Sequence, residues 1–142
     1  MDMTPPQKTP VLDANGKKIR VLVIEDEPAL VDIYSTKLLM EGFDVQSAMD
    51  GVVGFEMAVN NSPDCILLDV LLPSKDGFEV LKDLRDIPKM KDVPIIILSN
   101  LGQEYEVKRG LSLGATRFLT KANLTPAAVA DEVRAVLAAR TK

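Results

Sequence analysis

The feature that most constrains the fold is the alternation of five short apolar runs with helical patterns along a chain of 142 residues. The apolar runs span residues 19–24, 43–48, 65–68, 95–98 and 116–119. Three of them are too apolar for half-exposed strands, and continuous apolar strands are typical of parallel sheets covered on both faces. Five strand–helix repeats in this length predict an α/β fold, a (βα)5 doubly wound five-stranded parallel sheet.

The segments between the runs have recognisable helix ends. The first helix is predicted to begin at Pro28, a favourable first helical position, and to end before Gly42, a natural residue to follow a helix. Its apolar side is predicted to comprise Leu30, Ile33, Lys37 and Leu38. Further helices are predicted over residues 52–60, 78–86, 104–113 and 126–139, the last of them capped by Thr125.

Residues 1–18 carry three prolines and few large apolar side chains, so we predict a mobile N-terminal tail there and a single domain over residues 19–142. No apolar run approaches the roughly 20 residues that span a bilayer, and the N-terminus lacks the apolar core of a signal peptide. The single cysteine, Cys65, fits a reducing compartment. These observations predict a cytoplasmic protein with no membrane partner.

Charge and composition argue against several functions. The formal charge of −4 and the absence of a concentrated Lys/Arg face argue against nucleic acid as a partner. The chain contains no histidine, which excludes a histidine-based triad, a histidine metal site and a phosphate-accepting histidine. Any nucleophilic or acid–base chemistry therefore depends on carboxylates, hydroxyls, lysine or the one thiol.

Polar residues collect where the predicted strands end. Five of them follow the first, third, fourth and fifth strands: Glu25, Asp26, Asp69, Ser99 and Lys121. Because the carboxyl ends of parallel strands meet at one edge of a sheet, we expect these side chains to converge. Each residue alone has a simpler interpretation as a helix cap, a turn residue or a solvated lysine, so the inference depends on their joint placement.

This set of side chains predicts a particular chemistry. Three carboxylates in a small space repel one another unless a cation is bound, and hard oxygen ligands suit Mg²⁺. Asp69 is then the candidate nucleophile, which attacks a phosphorus atom to form an aspartyl phosphate. Mg²⁺, the Lys121 ammonium and the Ser99 hydroxyl would stabilise charge on the phosphoryl oxygens.

Longer motifs surround these residues. They are VLVIEDEP at 21–28, ILLDVLLP at 66–73, DGFEVL at 76–81, PIIILS at 94–99 and GATRFLTK at 114–121. Through these motifs the chain, from about residue 19 to residue 139, resembles the receiver domains of two-component response regulators. The resemblance implies the flavodoxin-like strand order 2-1-3-4-5. It also implies a phosphoprotein that acts in phosphorelay signal transduction.

The resemblance assigns roles to the acidic residues and to one backbone group. Asp69 corresponds to the phosphoacceptor, which also contacts the metal. Asp26 corresponds to a direct Mg²⁺ ligand and Glu25 to a ligand that acts through water. The backbone carbonyl of Leu71 is the implied third protein ligand.

Three further residues would respond to phosphorylation. The resemblance makes Lys121 the lysine that pairs with the phosphoryl oxygens, and Ser99 the hydroxyl that turns inward to bond them. Phe118 stands at the position of the switch aromatic, which packs inward when Ser99 moves. The movement would reshape the face formed by the fourth helix, fifth strand and fifth helix, which we predict as the surface for a downstream target or a homodimer.

The resemblance also implies partners. A sensor histidine kinase or a phosphotransfer protein would supply the phosphoryl group from its phosphohistidine. Since the sequence stops after the fifth helix, we expect a stand-alone receiver that signals to another protein in trans, or a receiver excised from a longer protein. It would catalyse its own phosphorylation and a slow autodephosphorylation while acting chiefly as a switch.

The sequence departs from the family pattern at three places. The acidic pair begins with Glu25 where aspartate is commoner. Ala122 stands where the family usually has a proline after a cis peptide, so the Lys121–Ala122 peptide is either trans or strained. Leu71 and Leu101 flank the pocket where many relatives have polar side chains, and we expect these apolar groups to hinder water and prolong the phosphorylated state.

Alternatives from other classes stay open at this point. A pseudo-receiver would keep the fold and act as a phosphorylation-independent protein-interaction module, which the departures at Glu25 and Ala122 would allow. An aspartate-nucleophile phosphatase usually needs a second aspartate two positions after the nucleophile, where this chain has Leu71. A nucleotide-binding domain is disfavoured, because no glycine-rich loop follows the first strand.

Overall fold

The five predicted strands form one parallel sheet in the computed structural model, which describes residues 8–140. The strands are β1 (Arg20–Ile24), β2 (Asp44–Ala48), β3 (Cys65–Asp69), β4 (Ile95–Ser99) and β5 (Arg117–Thr120). Their order across the sheet is β2-β1-β3-β4-β5, and every neighbouring pair is parallel. The (βα)5 architecture and the implied strand order are therefore confirmed.

Five helices cover the sheet. They are α1 (Pro28–Met40), α2 (Gly51–Asn61), α3 (Gly77–Arg85), α4 (Glu104–Ser112) and α5 (Pro126–Arg140), each within a residue of its predicted range. The side chains of Asp50, Asp76 and Thr125 cap α2, α3 and α5 by accepting backbone N–H bonds. Two 3₁₀ turns, Pro88–Met90 and Lys121–Asn123, were not predicted. Within residues 8–140, no helix is long and apolar enough to cross a membrane.

Alternate residues of each strand point to opposite faces of the sheet and build two cores. Leu22 and Ile66 pack into the core beneath α2 and α3. Val21 and Cys65 pack into the other core, beneath α1 and α5. Because helices cover both faces, the three central strands β1, β3 and β4 are almost entirely apolar, which explains their continuous runs, whereas the edge strands β2 and β5 carry polar residues.

Helix α1 buries only part of the predicted side: Leu38 is buried and Leu30 packs against the core, but Ile33 does not. Val31, Tyr34 and Leu38 are buried, while Ile33 is 45% exposed. Apolar residues lie nearly all round this helix, so its sequence does not define which stripe faces the sheet. Packing of α1 against β1, β2 and α5 selects the stripe, and the prediction was wrong for Ile33.

Residues 8–18, which fall within the predicted tail, lie against the domain. The Val11 N–H donates to the Gly42 carbonyl at 3.0 Å, and the Ile19 N–H donates back to the Val11 carbonyl at 2.7 Å. Gly42 has φ +96°, and a Cβ there would press on the backbone of this segment. The division at residue 18 and the mobility of the tail stay predictions, and residues 1–7 lie outside the described part of the chain.

A buried carboxylate ties this segment to two helices. Glu41, which follows α1, is only 6% exposed. Its oxygens lie 2.6 Å from Lys8 Nζ, 3.2 Å from Lys37 Nζ and 2.6 Å from a guanidinium nitrogen of Arg134. The Lys8 hydrogen bond lowers the pKa of Glu41, burial opposes it, and Arg134 and Lys37 lower the pKa further, to about 2.

Candidate functional site

Three carboxylates meet at the carboxyl end of the sheet, where β1 and β3 are neighbours. Glu25 follows β1 and is 2% exposed, Asp69 ends β3 and is 7% exposed, and Asp26 is exposed. One oxygen of each carboxylate lies within 4.8 Å of the others. The structure therefore brings the three acidic residues together, two of them buried and one open to solvent.

Glu25 is fixed in place by the backbone around it. Its N–H donates to the Ala48 carbonyl of β2 at 3.0 Å, and its Oε2 accepts the Glu27 N–H at 3.1 Å. Its other oxygen, Oε1, accepts a hydrogen bond from Lys121 Nζ. The glutamate side chain, one methylene longer than an aspartate, thus accepts hydrogen bonds both from the backbone before α1 and from Lys121 across the site.

Lys121 links the two buried acids. Its Nζ pairs with Glu25 and lies 3.2 Å from Asp69 Oδ2. Burial alone would lower the pKa of Lys121, but the hydrogen bond that Lys121 donates to Glu25 and the negative charges of Asp69 and Glu25 outweigh it, so the pKa is raised. The peptide to Ala122 is trans and opens the 3₁₀ turn, which resolves the alternative left open by the sequence.

These four groups fit a divalent cation. Three carboxylates face one ammonium, so two negative charges have no counter-charge within the group. Hard carboxylate oxygens, with an exposed member that leaves room for water, are the donors that Mg²⁺ prefers. The roles of Glu25, Asp26 and Asp69 as metal ligands stay predictions.

Ser99 ends β4 with its hydroxyl buried beside this site. It is 1% exposed, and its Oγ accepts the Leu101 N–H at 2.9 Å. The sheet register places Ser99 next to Thr120, the residue before Lys121. Because the Oγ accepts that bond, its own hydrogen is available to donate to an oxygen that enters the site.

Phe118 of β5 packs against α4. A Cβ on Gly110 would lie 2.8 Å from the Phe118 ring and 3.1 Å from Ile97, so the glycine allows the helix and the ring to approach closely. The ring is partly buried at the edge of the core beneath α3. Phe118 therefore connects β5 mechanically to α4, and its role as a switch stays a prediction.

The two apolar residues near the pocket differ in exposure. Leu71 is 61% exposed, whereas Leu101 is partly buried. Next to Leu71, the Val70 carbonyl accepts the N–H groups of Leu72 at 3.1 Å and Gly77 at 2.8 Å, which turns the chain directly after β3. The backbone carbonyl of Leu71 as a metal ligand stays a prediction.

Tyr34 of α1 belongs to the surroundings of the site and was not singled out from the sequence. It is 5% exposed, and burial raises the pKa of its hydroxyl. The charge of Lys121 lowers that pKa, while Glu25 and Asp69 raise it, so Tyr34 lies within the electrostatic field of the site. An aromatic residue in an apolar helix looks like an ordinary core residue, and nothing in its local sequence distinguishes it.

Comparison with known proteins gives consistent matches. The family model of the response regulator receiver domain matches residues 21–134. The DNA-binding dual master transcriptional regulator RpaA of Synechocystis sp. is 44% identical over 102 residues, which cover 72% of this chain and 42% of that protein. The response regulator PleD of Caulobacter vibrioides is 40% identical over 102 residues, which cover 72% of this chain and 22% of that protein. The chain thus spans less than half the length of these two relatives.

A solved structure is similar over a larger share of the chain. The receiver domain of the Francisella response regulator 1452 superposes with a TM-score of 0.80 and is 30% identical. The match covers 88% of this chain and 100% of that one.

Proposed function

Because this chain belongs to the response regulator receiver domain family, we propose that it is a signalling switch in which Asp69 accepts a phosphoryl group. One observation supports this most strongly. The buried Asp69 carboxylate ends β3 with its Oδ2 3.2 Å from Lys121 Nζ, within 4.8 Å of two further carboxylates. The groups proposed as nucleophile, as cation and as metal ligands thus lie at one edge of the sheet, which supports a role in phosphoryl transfer.

In the proposed reaction, an Asp69 oxygen attacks the phosphorus of a phosphohistidine on a sensor histidine kinase or a phosphotransfer protein. The new P–O bond forms as the P–N bond breaks, and the imidazole nitrogen leaves with the electron pair and takes a proton from water. The Lys121 ammonium turns from the Asp69 carboxylate to the phosphoryl oxygens, and the Ser99 hydroxyl donates to one of them. These 142 residues contain no histidine, so the donor histidine lies outside them.

The metal in this proposal is Mg²⁺. Asp26, Asp69 and the Leu71 carbonyl would hold it directly, and Glu25 would act through water. When bound, Mg²⁺ supplies positive charge that offsets the carboxylates and the phosphoryl oxygens.

The output of the switch is proposed to be the face formed by α4, β5 and α5. Phe118 and Gly110 join β5 to α4 at a close contact, so a movement of the Phe118 ring would act directly on α4. A downstream protein or a second copy of the chain would bind there, and we place this signalling in the cytoplasm.

Incubation with a small-molecule phosphodonor and Mg²⁺, followed by intact mass, tests the proposal. We expect the wild-type chain to gain one phosphoryl group and Asp69→Asn to gain none. Asp92→Asn, which changes an exposed acid before β4, is the matched control and should behave as wild type. An equal gain in Asp69→Asn would overturn the assignment of the acceptor.

No gain in the wild-type chain would favour the pseudo-receiver, which binds partners without phosphorylation. One observation is compatible with that function: in this structure the Lys121 ammonium is shared between Glu25 and Asp69 rather than reserved for Asp69. The mass experiment therefore decides between the two functions directly.

A further inference from the structure

The loop between β3 and α3, residues 70–76, leaves the site directly after Asp69. At its far end, Gly77 packs on the start of the loop: a Cβ there would overlap the Asp69 carbonyl oxygen and lie 2.7 Å from Val70 Cα. The Gly77 N–H also donates to the Val70 carbonyl at 2.8 Å. The two ends of the loop therefore pack against each other, and the backbone of Asp69 takes part in this contact.

The middle of the loop is held by α2. The Gly51 N–H, at the start of α2, donates to the Pro73 carbonyl at 3.1 Å. A Cβ on Gly51 would overlap the Lys75 carbonyl oxygen and lie 2.6 Å from the Lys75 carbonyl carbon. Between them, Ser74 has φ +69°, a left-handed conformation that a non-glycine residue keeps only when its surroundings enforce it.

One side chain of the loop contacts both neighbouring helices. Lys75 Nζ lies 4.5 Å from the centroid of the Phe55 ring on α2 and pairs with Asp83 on α3. The lysine is 21% exposed, so its aliphatic part is packed while its charge is satisfied by the ring and the carboxylate. Lys75 thus joins α2, the loop and α3 through a single side chain.

We propose that Lys75 is a positioning residue for the metal centre, because its bridge from Phe55 to Asp83 fixes the loop that follows Asp69 and contains the Leu71 carbonyl. The inference rests on the proposed function, since it concerns how the Mg²⁺ ligands are held. Lys75 does not itself touch the cluster of three acids. Its action passes through the backbone of residues 70–76, in the way that groups outside the ligand set orient metal ligands.

The closing experiment measures Mg²⁺ binding to the unphosphorylated protein by calorimetry, with the full chain. We expect Lys75→Met to weaken Mg²⁺ binding about tenfold, and Lys75→Arg, which keeps the charge over Phe55, to stay within about twofold of wild type. Lys82→Met is the matched control: it makes the same substitution at an exposed lysine of α3 and should leave Mg²⁺ affinity unchanged. Phe55→Leu, which removes the ring and keeps the lysine, should weaken binding in the same direction.

Hydrogen exchange separates positioning from a general loss of stability. In Lys75→Met, the amides at positions 75 and 77, which bond to Pro73 and Val70, should exchange faster while the β-strand amides keep their wild-type rates. Unchanged Mg²⁺ affinity in Lys75→Met overturns the inference, and so does a weakening that comes with faster exchange throughout the sheet. A wild-type chain that binds no Mg²⁺ would instead overturn the proposed metal site itself.

Discussion

Glu25 and Glu41 are both buried glutamates, but they lie at opposite ends of the sheet and have opposite surroundings. Glu41 faces three cations from three separate parts of the chain, Lys8, Lys37 and Arg134. Glu25 faces a single ammonium, and its other charged neighbours in the cluster are carboxylates. Positive charge is therefore in excess around the buried glutamate at one end of the sheet and in deficit around the buried glutamate at the other end.

The difference shows how a buried acid with a structural role can be distinguished from a buried acid in a functional site. The cations around Glu41 satisfy its charge within the protein, so its carboxylate does not need a bound metal ion. At Glu25 the protein leaves negative charge uncompensated, a costly arrangement that a bound cation relieves. Burial alone does not distinguish the two sites, whereas the balance of charge does.

The largest effect is expected when Glu25 is replaced by glutamine. Glu25→Gln removes one of the two buried negative charges of the acidic cluster, and we expect Mg²⁺ affinity to fall roughly 10- to 100-fold. Calorimetric titration of the unphosphorylated protein measures it. Glu41→Gln is the matched variant at the other end and should bind Mg²⁺ as wild type does. Equal Mg²⁺ affinities in the two variants would contradict the conclusion that Glu25, unlike Glu41, belongs to a metal site.

The order of the two variants should reverse for stability. Glu41→Gln leaves three cations without their shared carboxylate, and we expect the free energy of unfolding to fall by about 2 kcal/mol. Glu25→Gln should cost less, because it also relieves repulsion among the acids. Urea denaturation at neutral pH checks both, with Glu56→Gln at an exposed position of α2 as the control. A larger loss in Glu25→Gln than in Glu41→Gln would contradict this account.

Lowering the pH tests whether Glu41 stabilises the fold through its charge. The pKa of Glu41 is about 2 in the folded chain against an ordinary 4.5, so its stabilising contribution is fully present above pH 4.5. That contribution is lost as the pH falls from 4.5 toward 2, because the unfolded chain takes up the proton first. The difference in unfolding free energy between wild type and Glu41→Gln should therefore narrow over this window. A constant difference from pH 6 to pH 3 would show that the three cations do not act through the charge of Glu41.

The smallest expected effect concerns water at the Asp69 end. Replacing Leu71 and Leu101 together by asparagine should admit water and speed loss of the phosphoryl group by a factor of about three, less than 1 kcal/mol in the barrier. The decay of the phosphorylated mass measures the rate. Leu12→Asn, at a 54% exposed leucine of the opposite end, is the matched control. An unchanged lifetime in the double variant would discard the role of these two side chains.

Most of the fold was predictable because its signals are local. The start of α1 at Pro28 and the cap of α5 at Thr125 follow from neighbouring residues, and the central strands β3 and β4 are continuous apolar runs that end in Asp69 and Ser99. The docking of residues 8–18 was not predictable, because backbone bonds such as that from Val11 to Gly42 leave no pattern in side chains. The exposure of Ile33 on α1 was missed for a different reason: nearly every side of that helix is apolar, and only tertiary packing decides that Tyr34 rather than Ile33 is buried.

The site shows the same division. Strand ends place Asp69 and Lys121 on one edge, so their convergence follows from topology. The hydrogen bond from Lys121 to Glu25 does not follow from it, because it depends on the reach of a glutamate across the site. The contact of Gly51 with Lys75 was not predictable either, since it joins the start of α2 to the loop after β3, which are adjacent only in space.

The burial of Cys65 in β3 makes the chain convenient for site-specific labelling. It is the only cysteine, it is fully buried, and burial raises the pKa of its thiol to about 12. The reactive thiolate is therefore scarce at neutral pH, and thiol reagents should leave the folded protein unmodified. A cysteine placed at an exposed position, such as Tyr105→Cys on α4, would be the one group that a maleimide dye modifies. The native background thus already allows α4 to carry a fluorescent reporter.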